Sequence, residues 1–524
     1  MTIFIQRFNG KRNHKNGFHN TKSLVKKCDL YIDHEGFVGN QTNPKTIYIR
    51  SSNAKYAIQF LKTLQTPFIL ISGSDDTSFL DYISEQDVNC LINNKFCKKI
   101  FSENCNINEK VLNLPTGMYH DIEVVNYLEK RHNITDEPIK KKFKIFCQFN
   151  NTHPFREKSK KFSISSDLCD FFEPVLVTPS NTEIRYKSLK MMESYCFTLC
   201  PRGNGIDTHR LFEALALKSI PIVESSIIDD IHYMLPIIIV NNWEELNETF
   251  LKNELERLNM KYQGVMDCIT MDFWWNYITN PTIFISGSCR ILTPISRHHP
   301  KSNTIHGMYK NHFGYNHVTM CHDINQQLQF VKHCYNELEI PDEILKYTYD
   351  CYAYKFDSKL QERESHVKYE KHPESNLKTI QNLIQSVDMF ILEICSLKFY
   401  THLDFFVRSE RCSKAIENED NDGNVRNKLC QLRRIIPNYK KLVLVSHLRP
   451  NIYRNGNIIR SRETIHKICE EFCSVNNNCY HYDPSIIVAK IKKQKNIFIV
   501  KDDDWHYKDE YLKYIYDDLQ NILY

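Results

Sequence analysis

In residues 196–225, CFTLCPRGNGIDTHRLFEALALKSIPIVES, two arginines, two glycines and a glutamate occur at spacings that suit anion binding. Arg202 and Arg210 stand at the two ends of a loop, and a guanidinium can hold phosphate oxygens through two N–H groups at once. Gly203 and Gly205 are expected to supply positive φ and to let the backbone approach a ligand closely. Asp207 is placed to cap a helix starting near Thr208, whose free N–H groups and positive dipole end suit a diphosphate. Glu213 follows Arg210 by three residues, one turn along the same face, where a carboxylate can accept from ribose or sugar hydroxyls. Far downstream, Ser288 in TIFISGSCR falls just after a strand-like run, in the kind of turn where an exposed nucleophile sits beside a helix N-terminus. Asp503 and His506 in DDDWHYKDEYL keep D-x-x-H spacing after the strand-like NIFIV.

The pattern PRGNGxDTHRLxEALxLxxIPIV resembles the donor-binding core of exostosin-type glycosyltransferases, whose fold is two facing Rossmann-like lobes (a GT-B-like arrangement). The resemblance implies that Arg202, Arg210 and Glu213 surround the nucleotide diphosphate and the donor sugar. His209 sits between matched residues and is open between donor contact and loop packing. Lys218-Ser219 stands where the family usually has Gly-Cys. LPTGMYH (114–120), NTHPFRE (151–157) and LPIIIVNNWEEL (235–246) match more loosely, and the second of these brings Arg156 toward the donor phosphates. The tight match covers about 30 residues. The acceptor lobe is poorly matched, and Asp75 or Asp76, at a strand end, is a candidate base.

Ser288 early and Asp503-x-x-His506 late in one α/β segment resemble the SGNH (GDSL-like) hydrolases, with GSC similar to the GSCFA-type branch. The resemblance implies Ser288 as nucleophile, His506 as general base and Asp503 as its orienting partner. It also implies oxyanion donors from the Ser288 N–H and from Gly314 and Asn316 of GYNH. The strand DMFILEICS departs from that family: it carries Glu393 and Ser396 where a Gly/Asn block is expected. The triple Asp502-Asp503-Asp504 also looks like a metal-binding D-x-D, but its place near the C-terminus argues against that.

These residues need strands and helices to position them. FILISGSDD (68–76) and TIFISGSCR (282–290) each read as a buried parallel strand ending in a loop that opens a helix, with KKFKIFCQF, CFTLC, IPIVE and LPIIIV between them. After MDFWWNYITNP a second series follows: TIFIS, DMFILEIC, KLVLVS and NIFIV, with helical intervals and a polar loop at 417–424. Strands alternating with helices predict an α/β chain with parallel sheets. The resemblances imply a glycosyltransferase part at residues 1–279, in lobes 1–140 and 141–279, and a flavodoxin-like, SGNH-type α/β domain at residues 280–524. The aromatic run Phe273, Trp274, Trp275 and Tyr277 reads as interdomain core or as a sugar platform.

Composition narrows the function classes. The chain has 524 residues, 42% hydrophobic and 25% charged, enough for two to four globular domains. Lys plus Arg number 68 against 63 Asp plus Glu, and a net +5 over this length does not argue for nucleic acid. The run Lys140, Lys141, Lys142 and Lys144 reads as a solvated edge. No signal peptide or membrane span is evident, so a cytoplasmic location is expected. The 19 cysteines are scattered as buried thiols are. Neither CEEFC nor the histidines at 298–322 have the spacing of a metal site. The expected partners are a nucleotide sugar and a glycan acceptor, with no further cofactor.

Overall fold

The computed structural model describes the chain outside residues 1, 5–16, 106–110, 120, 133–139, 151–152, 175–181, 233, 260–265, 288, 300–320, 322, 342, 345–347, 349–380, 382–383, 408–411, 448–459, 493–511 and 524. It is an α/β protein that divides into two compact units, Met1–Thr279 and Asn280–Tyr524.

The first unit contains two six-stranded sheets. In one, the order is Gly36–Gly39, Leu30–Asp33, Thr46–Arg50, Phe68–Gly73, Cys97–Ser102, Val111–Asn113, parallel throughout except for the hairpin that Gly36–Gly39 makes with Leu30–Asp33. In the other, Lys140–Cys147, Tyr195–Leu199, Ile220–Glu224 and Ile238–Val240 run parallel, and Lys140–Cys147 also pairs with Cys169–Phe171 and, antiparallel, with Thr2–Phe4. Every residue of Tyr195–Leu199 is buried. That explains its unbroken apolar run, because a strand covered by helices on both faces has no polar side to alternate with.

The lysine run is not a solvated edge throughout. Lys140 and Lys142 are exposed, but Lys141 is 1% exposed on the alternate face of the strand. Its Nζ donates to the carbonyls of Glu193 (2.6 Å), Leu217 (3.0 Å) and Tyr195 (3.2 Å). Two of those acceptors lie at the ends of helices Thr182–Glu193 and His209–Ala216, where carbonyls lack helical partners and a cation is favoured. Burial pushes the Lys141 ammonium down to about 7, with Cys196 and Glu193 working in the opposite direction.

Helix His209–Ala216 closes through Lys218 N–H to Leu215 O (3.0 Å) and Ser219 N–H to Ala214 O (2.9 Å), the Schellman pattern. Lys218 takes φ 58° there, a conformation that glycine adopts without a Cβ penalty.

Helix Met271–Thr279 buries Phe273, Trp274 and Tyr277 inside the first unit. Trp274 packs on His19, and Tyr277 meets Phe101 edge to face. Trp275 receives Lys27 over its ring at 5.7 Å.

The second unit holds a four-stranded parallel sheet in the order Ile283–Ser286, Met389–Ile394, Lys441–Ser446, Cys479–Tyr482. The predicted strand NIFIV lies outside the described residues, whereas Cys479–Tyr482 was not foreseen. A separate antiparallel sheet, Phe405–Val407, Lys398–His402, Ile416–Glu419, departs from the all-parallel expectation. It turns residues 417–419 of the predicted polar loop at 417–424 into an exposed edge strand, and helix Asp422–Ile435, capped by Asn421, takes residues 422–424.

Candidate functional site

The strand Tyr195–Leu199 leads through Cys200–Asp207 into helix His209–Ala216. The N-cap is Thr208, with extended φ −142° and no side-chain cap, so Asp207 is not the cap that the sequence suggested. The Asp207 carboxylate instead accepts from Thr208 N (2.7 Å) and from Thr116 N (2.9 Å) in a loop from the first sheet. The Asn104 side chain adds to this seam, accepting from Ile206 N (2.8 Å) and Asp207 N (3.0 Å) and donating to Asp76 O (3.1 Å). His209 Nδ1 donates to Gly117 O (2.8 Å), which ties the first turn of the helix to the same loop.

The glycines serve approach rather than positive φ, since neither Gly203 nor Gly205 has φ in the left-handed region. A Cβ on Gly203 would lie 2.9 Å from Arg156 Nη2, and one on Gly205 would lie 3.2 Å from Asp76 O. Arg156, from helix Phe155–Ser165, fills the space so left and donates to Arg202 O (3.1 Å) and Asn150 O (3.0 Å).

A cleft of about 390 Å³ opens against this turn. Arg156, Thr208, His209, Arg210 and Glu213 all line it, together with Tyr119, Asn150 and Arg185, which sequence reasoning had not assigned. Arg210 Nη1 is buried without a hydrogen-bond partner. Burial works against the Arg210 charge, and the neighbouring Glu213 supports it. Glu213, 5% exposed, accepts from Arg185 Nη2 (2.5 Å), and the Arg185 guanidinium lies over the Tyr119 ring at 4.3 Å. The sequence carried a signal for Tyr119, inside LPTGMYH, and none for Arg185 beyond its helix. Arg202 does not line the cleft; its guanidinium stacks on Phe155 at 4.2 Å. A larger groove of about 630 Å³ beside helices Ala54–Thr63 and Glu85–Asn93 offers amides, Cys90 and two lysines, with no clustered acids or bases.

The two acids considered as a base differ. Asp75 is committed to Arg50 (3.2 Å) and Ser52 N (2.8 Å). Asp76 faces the glycine loop, where Asn204 Nδ2 donates to its carboxylate (3.3 Å). Behind them, Glu103 is 1% exposed and accepts from Thr21 Oγ1 and from Ser74 N (3.0 Å). Burial pushes its carboxyl up to about 8. The folded state therefore holds a proton that the unfolded chain, with an ordinary carboxyl near 4.5, releases. That stability is fully present below about pH 4.5 and is lost as pH rises through 8. Glu103→Gln should remove this loss, so its melting temperature relative to wild type should climb between pH 5 and 8. A gap that stays constant with pH would show that Glu103 does not hold the proton.

In the second unit, Ser288, Gly314, Asn316, Asp503 and His506 lie outside the described residues. Their neighbours are described. The Glu393 side chain covers Gly287, where an added Cβ would stand 2.5 Å from Glu393 Cβ and 2.9 Å from its Oε2. Gln327, fully buried on helix Ile324–Cys334, donates toward Ser286 O (3.3 Å), Cys321 O (3.2 Å) and Glu393 O (3.2 Å). Ser446 Oγ lies 3.1 Å from His481 Nε2 and 3.4 Å from His466 Nδ1, and Asp483 Oδ2 lies 3.8 Å from that same Nδ1. This polar cluster at the strand ends had no sequence signal, because its members are spread from residue 446 to residue 483. Among the described residues no group of three His, Cys, Asp or Glu side chains is arranged to hold a metal ion. Of the histidines at 298–322, His299 is buried against Tyr516 Oη (3.2 Å) and Pro281 O (3.3 Å). No described helix is long and apolar enough to cross a membrane.

A family model described as the TviD N-terminal domain matches residues 281–426. That stretch runs from the start of the second unit into helix Asp422–Ile435. No curated protein matches the chain.

Proposed function

We propose that the first unit is a GT-B-like glycosyltransferase that takes a sugar from a nucleotide-sugar donor held in the cleft at Arg210. The observation that carries this reading is the convergence of Arg156, Arg210 and Glu213 on the uncapped N-terminus of helix His209–Ala216. Two guanidinium groups and free helix N–H groups suit a diphosphate, and the carboxylate suits sugar or ribose hydroxyls. The seam formed by Asn104, Asp207 and His209 joins the glycine loop to loops of the first sheet, which gives a two-lobed enzyme its cleft. The acceptor is a glycan, the setting is cytoplasmic, and no cofactor beyond the donor is needed. Calorimetry of the whole chain with UDP and GDP tests this: one of them should bind, and binding by neither would remove the reading.

For the second unit the proposal is an acyl-handling module that acts on the glycan, with Ser288, His506 and Asp503 as nucleophile, base and orienting acid. The family match supports an acyl-related role, because the matched domain belongs to a Vi antigen biosynthesis protein that is polysaccharide acetyltransferase-related. One observation favours a second reading, in which this unit binds glycans without catalysis. Glu393 stands over Gly287, where a carboxylate would repel the oxyanion that an acyl transfer at Ser288 develops.

A further inference from the structure

We infer that Arg185 is itself a ligand-binding residue of the cleft, exchanging its ion pair with Glu213 for an anionic group of the bound molecule. This rests on the donor-site reading above and extends it to a residue on a different helix, Thr182–Glu193.

The Arg185–Glu213 pair has side-chain exposures of 17% and 7%, so both charges have lost most of their water. A pair buried to that degree gains little net stability, because desolvation offsets most of the Coulomb attraction. It also stands on a cleft wall rather than in the core, where a ligand can compete for either partner. The donors are only partly used. Arg185 Nη2 goes to Glu213, but Arg185 Nε is buried with no acceptor, as is Arg210 Nη1. An incoming oxygen would give these orphaned donors the partners they lack. The Arg185 and Arg210 charges also disfavour each other, and an anion between them relieves that repulsion.

Charge balance gives the class of ligand. The cleft lining carries three guanidinium groups, Arg156, Arg185 and Arg210, against the one carboxylate of Glu213. The surplus of two positive charges is what the two ionised phosphates of a nucleoside-diphosphate sugar would neutralise. Once Arg185 turns to the phosphates, Glu213 is free to accept a hydroxyl. The Tyr119 ring keeps the guanidinium plane in place during the exchange.

Titration calorimetry of the whole chain with UDP, GDP and inorganic pyrophosphate separates this from a purely structural ion pair. Arg185→Met alone strands Glu213 as a buried charge, so the decisive variant is Arg185→Met/Glu213→Gln, which removes both charges. It should melt close to wild type yet bind nucleotide about tenfold more weakly, the loss expected for one charge-assisted contact. Pyrophosphate affinity should fall by a similar factor. If the double variant binds nucleotide as well as wild type while Arg210→Ala does not, Arg185 only neutralises Glu213 and the inference is overturned. A loss for nucleotide without a loss for pyrophosphate would move Arg185 to the base or sugar and overturn its assignment to the anion. If wild type binds none of the three probes, the donor-site reading itself fails.

Discussion

Arg210→Ala should weaken UDP or GDP binding by about tenfold or more, since a charge-assisted hydrogen bond is worth about 1.5 to 3 kcal/mol. Arg210 sits at the second position of helix His209–Ala216, so in the proposed site its guanidinium and the helix N–H groups would meet the same phosphate oxygens. Its charge is held in a desolvated place with Glu213 as the neighbouring carboxylate, where electrostatic contacts are stronger than in water. Arg210→Lys should recover only part of the affinity, because an ammonium lacks the planar fork. Calorimetry reads both variants, and an Arg210→Ala protein that binds nucleotide like wild type would remove this site. Glu213→Gln carries a changed expectation. The sequence suggested loss of donor use with little effect on melting. The ion pair with Arg185 means that this substitution leaves a buried cation unpaired, so the melting temperature should fall as well.

Ser288→Ala should abolish labelling by a fluorophosphonate and cleavage of p-nitrophenyl acetate, if the second unit performs acyl chemistry. A serine hydroxyl needs an adjacent base to act as a nucleophile at neutral pH, so His506→Ala should give the same loss. The wild-type rate is expected to be low. Removing one oxyanion donor costs about 10² to 10³ in rate, and Glu393 offers a carboxylate where the resemblance leads one to expect a donor. Wild-type protein that takes no label would leave the glycan-binding reading in place of the esterase one.

The sequence by itself determined the α/β class, because the runs FILISG, CFTLC and KLVLVS are apolar at consecutive positions, as strands of a covered parallel sheet must be. It also marked the loop and helix around Arg210, since glycines, arginines and a helix start all lie within about a dozen residues and their relation is local. Glu213 could be placed one turn from Arg210 for the same reason. What it missed depended on chain segments that meet only after folding. Lys141 read as part of a basic edge because the helix ends that receive its ammonium are supplied by residues 193 and 217. The left-handed φ expected of Gly203 and Gly205 gave way to tertiary causes, the passage of the Arg156 guanidinium at Gly203 and the approach of the Asp76 carbonyl at Gly205. Asp207 left the cap position because the loop at Thr116 offered its carboxylate a second N–H donor. Arg185 entered the site from a helix whose sequence shows only amphipathic spacing, and its partner lies 28 residues away. Local spacing fixes which groups share a turn or a face; which groups share a cleft is decided by how helices and loops from distant parts of the chain pack around the sheet.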